Sequence, residues 1–129
     1  MEKESPKFNK PSLSLAYLQD IADGNAEFMI EMMDIFLKQT PTYLAEIDQA
    51  LLLEDWRTVA EISHKIRPTF AFIGADETKD EMAKIETIAR SGRDLEQIAP
   101  LFKQVQVAST TLFEELLLLR KELADLNGL

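Results

Sequence analysis

The chain has 129 residues, the size of one domain with one core; 46% of them are hydrophobic, and only four glycines and five prolines interrupt it. This composition excludes a disordered chain, and its abundant Ala, Leu, Glu, Lys, Ile and Met favour helix. A formal net charge of −9 disfavours nucleic acid and anionic lipid as partners, and the absence of cysteine excludes disulfides, thiolate nucleophiles and thiolate metal sites.

No apolar run approaches the roughly 18 residues that a membrane span requires. The polar start of the chain lacks the apolar stretch of a signal peptide. A cytoplasmic protein without a membrane partner is expected. Residues 1–11 hold two prolines, three lysines and few apolar groups, and are expected to form a loose tail ahead of a folded region over 12–129.

Leu13, Leu15, Leu18 and Ile21 suggest a short helix ending at Gly24. Asn25 is a good N-cap for a long helix to about Leu52, whose apolar face is Met29, Met33, Phe36, Thr40, Leu44, Ile47 and Leu51. Pro41 lies inside it, where a kink is expected. The cluster Met29, Met32 and Met33 reads as packing. Asp55 is placed to cap a third helix with the stripe Val59, Ile62, Ser63, Ile66, Phe70 and Ile73, ended by Gly74. Asp76 is expected to cap a fourth, with Met82, Ile85 and Ile88 inward and Gly92 past its end. Asp94 is expected to cap a fifth in a capping box with Gln97, its stripe running through Ile98, Leu101, Val105, Ala108, Leu112, Leu116, Leu119 and Leu123. No strand-like alternation is left. The expected fold is all-α: an antiparallel up-down four-helix bundle with a short extra N-terminal helix.

His64 is the only histidine. At about 100° per residue, Val59, Ile62, Ile66 and Ile73 fall roughly 140° to 180° away from it. Its own face carries Arg57, Ala60, Glu61, Arg67, Pro68 and Ala71. His64 is therefore expected to point to solvent. Ala60 and Ala71 are small enough to let another surface approach the ring, and Arg57, Lys65 and Arg67 place three cations near it. Lys65 and Arg67 suit a phosphoryl group held on the imidazole, because such contacts are charge-assisted. Imidazole is mostly neutral at pH 7, so one ring nitrogen is nucleophilic without a general base. On geometry alone, a histidine among exposed charges reads equally well as a solvated face.

The run His64-Lys65-Ile66-Arg67-Pro68-Thr69-Phe70-Ala71-Phe72-Ile73-Gly74-Ala75 resembles the histidine phosphotransfer (HPt) domains of two-component phosphorelays. These show a histidine, a lysine three residues on, small residues, and a Leu-Gly-Ala-like triplet. Arg67 stands at the lysine, Thr69 at a common serine, and Ile73, Gly74 and Ala75 at the triplet. Ile85-Glu86 and Ala89-Arg90-Ser91-Gly92 resemble the family's downstream pattern, and Phe36, Pro41, Leu44, Ile47, Ala50 and Trp56 fit upstream. The resemblance implies that His64 accepts a phosphoryl group from a receiver-domain aspartate and passes it to another receiver. Lys65 and Arg67 would stabilise the phosphate, and Ala60, Pro68 and Ala71 would be docking contacts. The partners implied are receiver (response regulator) domains or a hybrid histidine kinase. The Mg²⁺ belongs to the receiver, and the chain, a monomer, needs no cofactor or metal of its own and has no kinase motif. Pro68 departs from the family's usual glycine, and its ring should kink the helix beside His64.

Of three other readings two stay open, and the metal-binding one is set aside. Ser63-His64-Lys65-Ile66-Arg67-Pro68 is near the Ser-His-Glu-Ile-Arg-Thr-Pro motif of the dimerisation and phosphoacceptor domain of sensor kinases, but Lys65 replaces its acidic residue and four helices are expected in one chain. Glu61-x-x-His64 has the spacing of di-iron bundles, which need a second such pair and project it inward. A non-catalytic bundle of the same fold is the third. Ser63 falls on the buried stripe, which argues against a nucleophile–base pair.

Overall fold

A computed structural model describes residues 13–129. The tail expected over 1–11 lies outside the described residues. The elements are α1 (Ala16–Ala22), α2 (Ala26–Leu52), α3 (Trp56–Phe72), α4 (Asp76–Ser91), a 3₁₀ turn (Leu95–Gln97) and α5 (Ile98–Leu126). No strand occurs among the described residues. Among the described residues no helix is long and apolar enough to cross a membrane.

Two of the expected caps form. The Phe28 N–H donates to Asn25 Oδ1 (2.9 Å), and Asp55 accepts from the Thr58 N–H (3.2 Å) and hydroxyl (2.6 Å). Such caps satisfy backbone donors that the first turn leaves without partners. The other two do not form. Ala75 takes the non-helical position, its carbonyl accepts the Lys79 N–H, and Asp76 becomes the first residue of α4. There, with Glu77, it faces the positive end of the helix dipole. Asp94 is left-handed (φ 58°), not extended as a cap requires, so it starts the 3₁₀ turn and the box with Gln97 is absent.

α2 packs on α3, α3 on α4, α4 on α5 and α5 back on α2, which closes a ring of four helices, with α1 against α2. Every residue of the expected α3 stripe is buried. On α2, Ala50 is buried where Leu51 was expected and Leu51 is only partly covered; on α5, Phe102 and Ser109 join the stripe. Met29 and Met33 are core. Phe36 packs its ring edgewise on Phe70 (5.7 Å) and on Phe113 (5.6 Å), joining α2, α3 and α5. Full burial of each such side chain contributes about 1.5–3 kcal/mol. α2 and α3 remain single helices through Pro41 and Pro68.

α2 and α5, at 27 and 29 residues, outlast α3 and α4 at 17 and 16. α1 lies where the shorter pair stops. The Ser14 N–H donates to the Ile73 carbonyl (2.9 Å), and the Tyr17 and Phe72 rings meet at 5.9 Å. Gly74 makes this possible: its φ is +70°, and a Cβ there would collide with the Ser14 backbone. Gly74→Ala is expected to lower stability by about 1–3 kcal/mol, read from urea unfolding. Gly92→Ala, also left-handed but with nothing within 4 Å of the added carbon, should cost less. Equal losses at the two positions would remove the Ser14 contact from this account.

Candidate functional site

His64 sits on the outward side of α3 with 63% of its side chain exposed, because the opposite side of the helix is sealed in the core. The ring is nonetheless held. Its Nδ1 lies 3.2 Å from the carboxylate of Glu86, which reaches across from α4. Glu86 is only 9% exposed, and it accepts two further bonds: Arg67 Nη1 donates to Oε1 (2.7 Å) and Arg90 Nε donates to Oε2 (2.9 Å). One carboxylate thus gathers a ring nitrogen and two guanidinium groups.

These donors set the ionisation of Glu86. Burial pushes its carboxyl up, but the hydrogen bonds from Arg90, Arg67 and His64 together outweigh that and hold it below the usual carboxylate range. An ionised carboxylate only accepts, so the contact assigns the proton of the neutral imidazole to Nδ1. Arg67 Nη1 also comes within 3.5 Å of Nδ1, at the limit for a hydrogen bond, and its 2.7 Å bond to Glu86 is much the better one. Nε2 is left with the free lone pair.

Arg67, 37% exposed, is brought to the ring. Lys65 is exposed and is not among the residues lining the hollow of about 240 Å³ beside the imidazole, which are His64, Arg67, Pro68 and Lys79. Arg57 is turned away, bonded to Glu61 (3.3 Å), and Glu61 leaves the ring to Glu86. Pro68 is exposed and Ala71 half-buried, and both border a second groove with Tyr17 and Phe72.

Ala60 corrects the sequence reading. It is 1% exposed and offers no surface to a partner. Four residues turn a helix by about 400°, which puts Ala60 some 40° from His64. That is enough to carry it from the exposed face into the core cluster. Ser63 is wholly buried, as its place on the stripe requires. No group of three or more His, Cys, Asp or Glu side chains is gathered for a metal among the described residues.

Glu86 and Lys79 were not foreseen as site residues. A signal for Glu86 was present: Glu86 and Arg90 are four apart on one helix face, the spacing of an ion pair, and the Ile85-Glu86 and Ala89-Arg90 patterns carry them.

The family model of the Hpt domain matches residues 31–128, from within α2 to the end of the chain's last helix, with the whole His64 cluster inside it. The chain belongs to the Hpt family. No curated protein and no solved structure matches it. Hpt domains take part in phosphorelays as histidine phosphocarriers and interact with the receiver domains of two-component systems. α1 lies outside the matched span.

Since Glu86 is held ionised in the fold, its contribution to stability is present above the unfolded carboxyl value near 4.5 and is lost as pH falls through the lower folded value. In urea titrations from about pH 6 to about pH 3, the advantage of the wild type over Glu86→Gln should shrink as the pH falls. Parallel curves would show that Glu86 gains nothing from its three donors.

Proposed function

We propose that the chain is a phosphorelay intermediate that accepts a phosphoryl group from a receiver-domain aspartate on Nε2 of His64 and passes it to another receiver. The observation that carries this reading is the fixed ring: Glu86 holds Nδ1 of a side chain that is mostly exposed, which leaves the lone pair to Nε2, the nitrogen farther from the backbone.

In the step we infer, the Nε2 lone pair attacks the phosphorus of the aspartyl phosphate. The N–P bond forms, the P–O bond breaks, and its electron pair leaves on the aspartate carboxylate. The positive charge that develops on the ring is met by Glu86 through Nδ1–H. Donation to the next receiver is the reverse. The receiver brings the Mg²⁺, and this chain brings a positioned nucleophile and cations, which is what phosphoryl transfer asks of a protein. Arg67, and Lys65 in a lesser part, would stabilise the phosphoryl charge, with Pro68 and Ala71 as docking contacts. A hybrid histidine kinase is a fitting source of the donor receiver.

The same reading takes the ring of helices as an antiparallel up-down bundle. Phe36 meets Phe113 and Asp34 meets Arg120, so stepping back along α2 goes with stepping forward along α5. The connections at 53–55 and 73–75 have room only for helices that reverse direction. A ring completed within one chain supports a monomer, in place of the two-helix subunits of a sensor-kinase dimerisation domain. We place the protein in the cytoplasm, where receivers act.

Incubation with Mg²⁺ and an aspartate-phosphorylated receiver should give an acid-labile, base-stable label on the wild type. His64→Gln should take none while keeping its helical spectrum. A folded wild type that accepts from no receiver would overturn the carrier reading in favour of a non-catalytic bundle. Arg67→Ala should still accept, but more slowly or with a shorter-lived phosphohistidine, because it loses both a cation and a clamp on Glu86. Unchanged rate and lifetime would take Arg67 out of the site.

A further inference from the structure

The cations around His64 are not equivalent. Arg67 and Arg90 each donate to Glu86, so much of their charge is already answered by a carboxylate. Lys65 stands about 100° round the helix from His64 and does not line the hollow at the ring. Lys79 does. It is half-buried and opens into the same hollow of about 240 Å³ as His64, Arg67 and Pro68, and among the described residues its ammonium has no carboxylate partner.

The sequence of α4 explains how it gets there. Lys79, Ala83, Glu86 and Arg90 follow at steps of four, three and four, which is one face of the helix. The carboxylate that orients the ring and the lysine that opens beside it are therefore carried on the same rigid element.

We propose that Lys79 is the residue that grips the phosphoryl group on His64, its ammonium donating to the phosphoryl oxygens within this hollow. The inference rests on the phosphoryl-carrier reading and adds a contact from the helix opposite the histidine. A compact ammonium on a flexible stem suits it, since it supplies three donors and can follow the phosphorus as the N–P bond forms. The bonds made and broken are those of the transfer itself: N–P forms, and the bond from phosphorus to the leaving group breaks with its electron pair going to that group.

The test uses the full chain and phosphoramidate, a small donor that needs no receiver. Wild type, His64→Gln, Lys79→Gln and Lys79→Arg are loaded and followed by ³¹P NMR. The wild type should show a phosphohistidine signal that His64→Gln lacks. Lys79→Gln should load roughly tenfold more slowly, the scale of one charge-assisted hydrogen bond. The titration of its phosphoryl group should also move to higher pH, because a lost cation disfavours the dianion. Lys79→Arg should restore both. A merely structural lysine would move stability but not the phosphoryl titration. Wild-type loading and titration in Lys79→Gln would overturn the role of Lys79 and leave the carrier reading standing. A wild type that takes no label at all would overturn both.

Discussion

The close packing of α3 against α4 is the constraint on which the rest of the site depends. Ala60 lies one turn before His64 and Ala89 one turn after Glu86, and both are buried. Small side chains at a crossing let two helices approach. The short Glu86 side chain can then span the gap to a histidine that itself faces solvent. A single buried carboxylate in this position would be unfavourable alone, since desolvation disfavours its charge. Three donors reverse that balance, and the same three contacts fix the directions of His64, Arg67 and Arg90.

The charge arithmetic of the cluster follows from this arrangement. Glu86 brings one negative charge, while Arg67 and Arg90 bring two positive ones. With Lys79 at the edge of the hollow, the neighbourhood of the ring is cationic within a chain whose formal net charge is −9. A local excess of positive charge on an acidic chain sets this place apart electrostatically from the rest of the molecule.

The fold was legible in the sequence because burial has a period. The stripe Val59, Ile62, Ser63, Ile66, Phe70 and Ile73 is buried in full, and the outward placement of His64 follows from it by rotation alone. What one helix cannot report is what its neighbour covers. Ala60 sits near His64 on the wheel and yet is buried in the core. Glu86 is 22 residues away along the chain and yet touches the ring. Glu61, one turn from His64 on the same helix, pairs with Arg57 instead. Caps were legible where the backbone is extended, as at Asn25 and Asp55. They were not where a preceding residue or a left-handed turn took the position, as at Ala75 and Asp94.

The contact of Ser14 with Ile73 and Gly74 joins positions far apart in the chain, whereas the α2–α3, α3–α4 and α4–α5 contacts join neighbours. Loop closure makes such distant contacts late to form in folding. α1 packs on its neighbour α2, but the Ser14 contact can form only once the turn between α3 and α4 exists. That contact, and the still longer closure of Asp34 on Arg120 that joins α2 to α5, therefore both wait on the hairpins that neighbouring helices form.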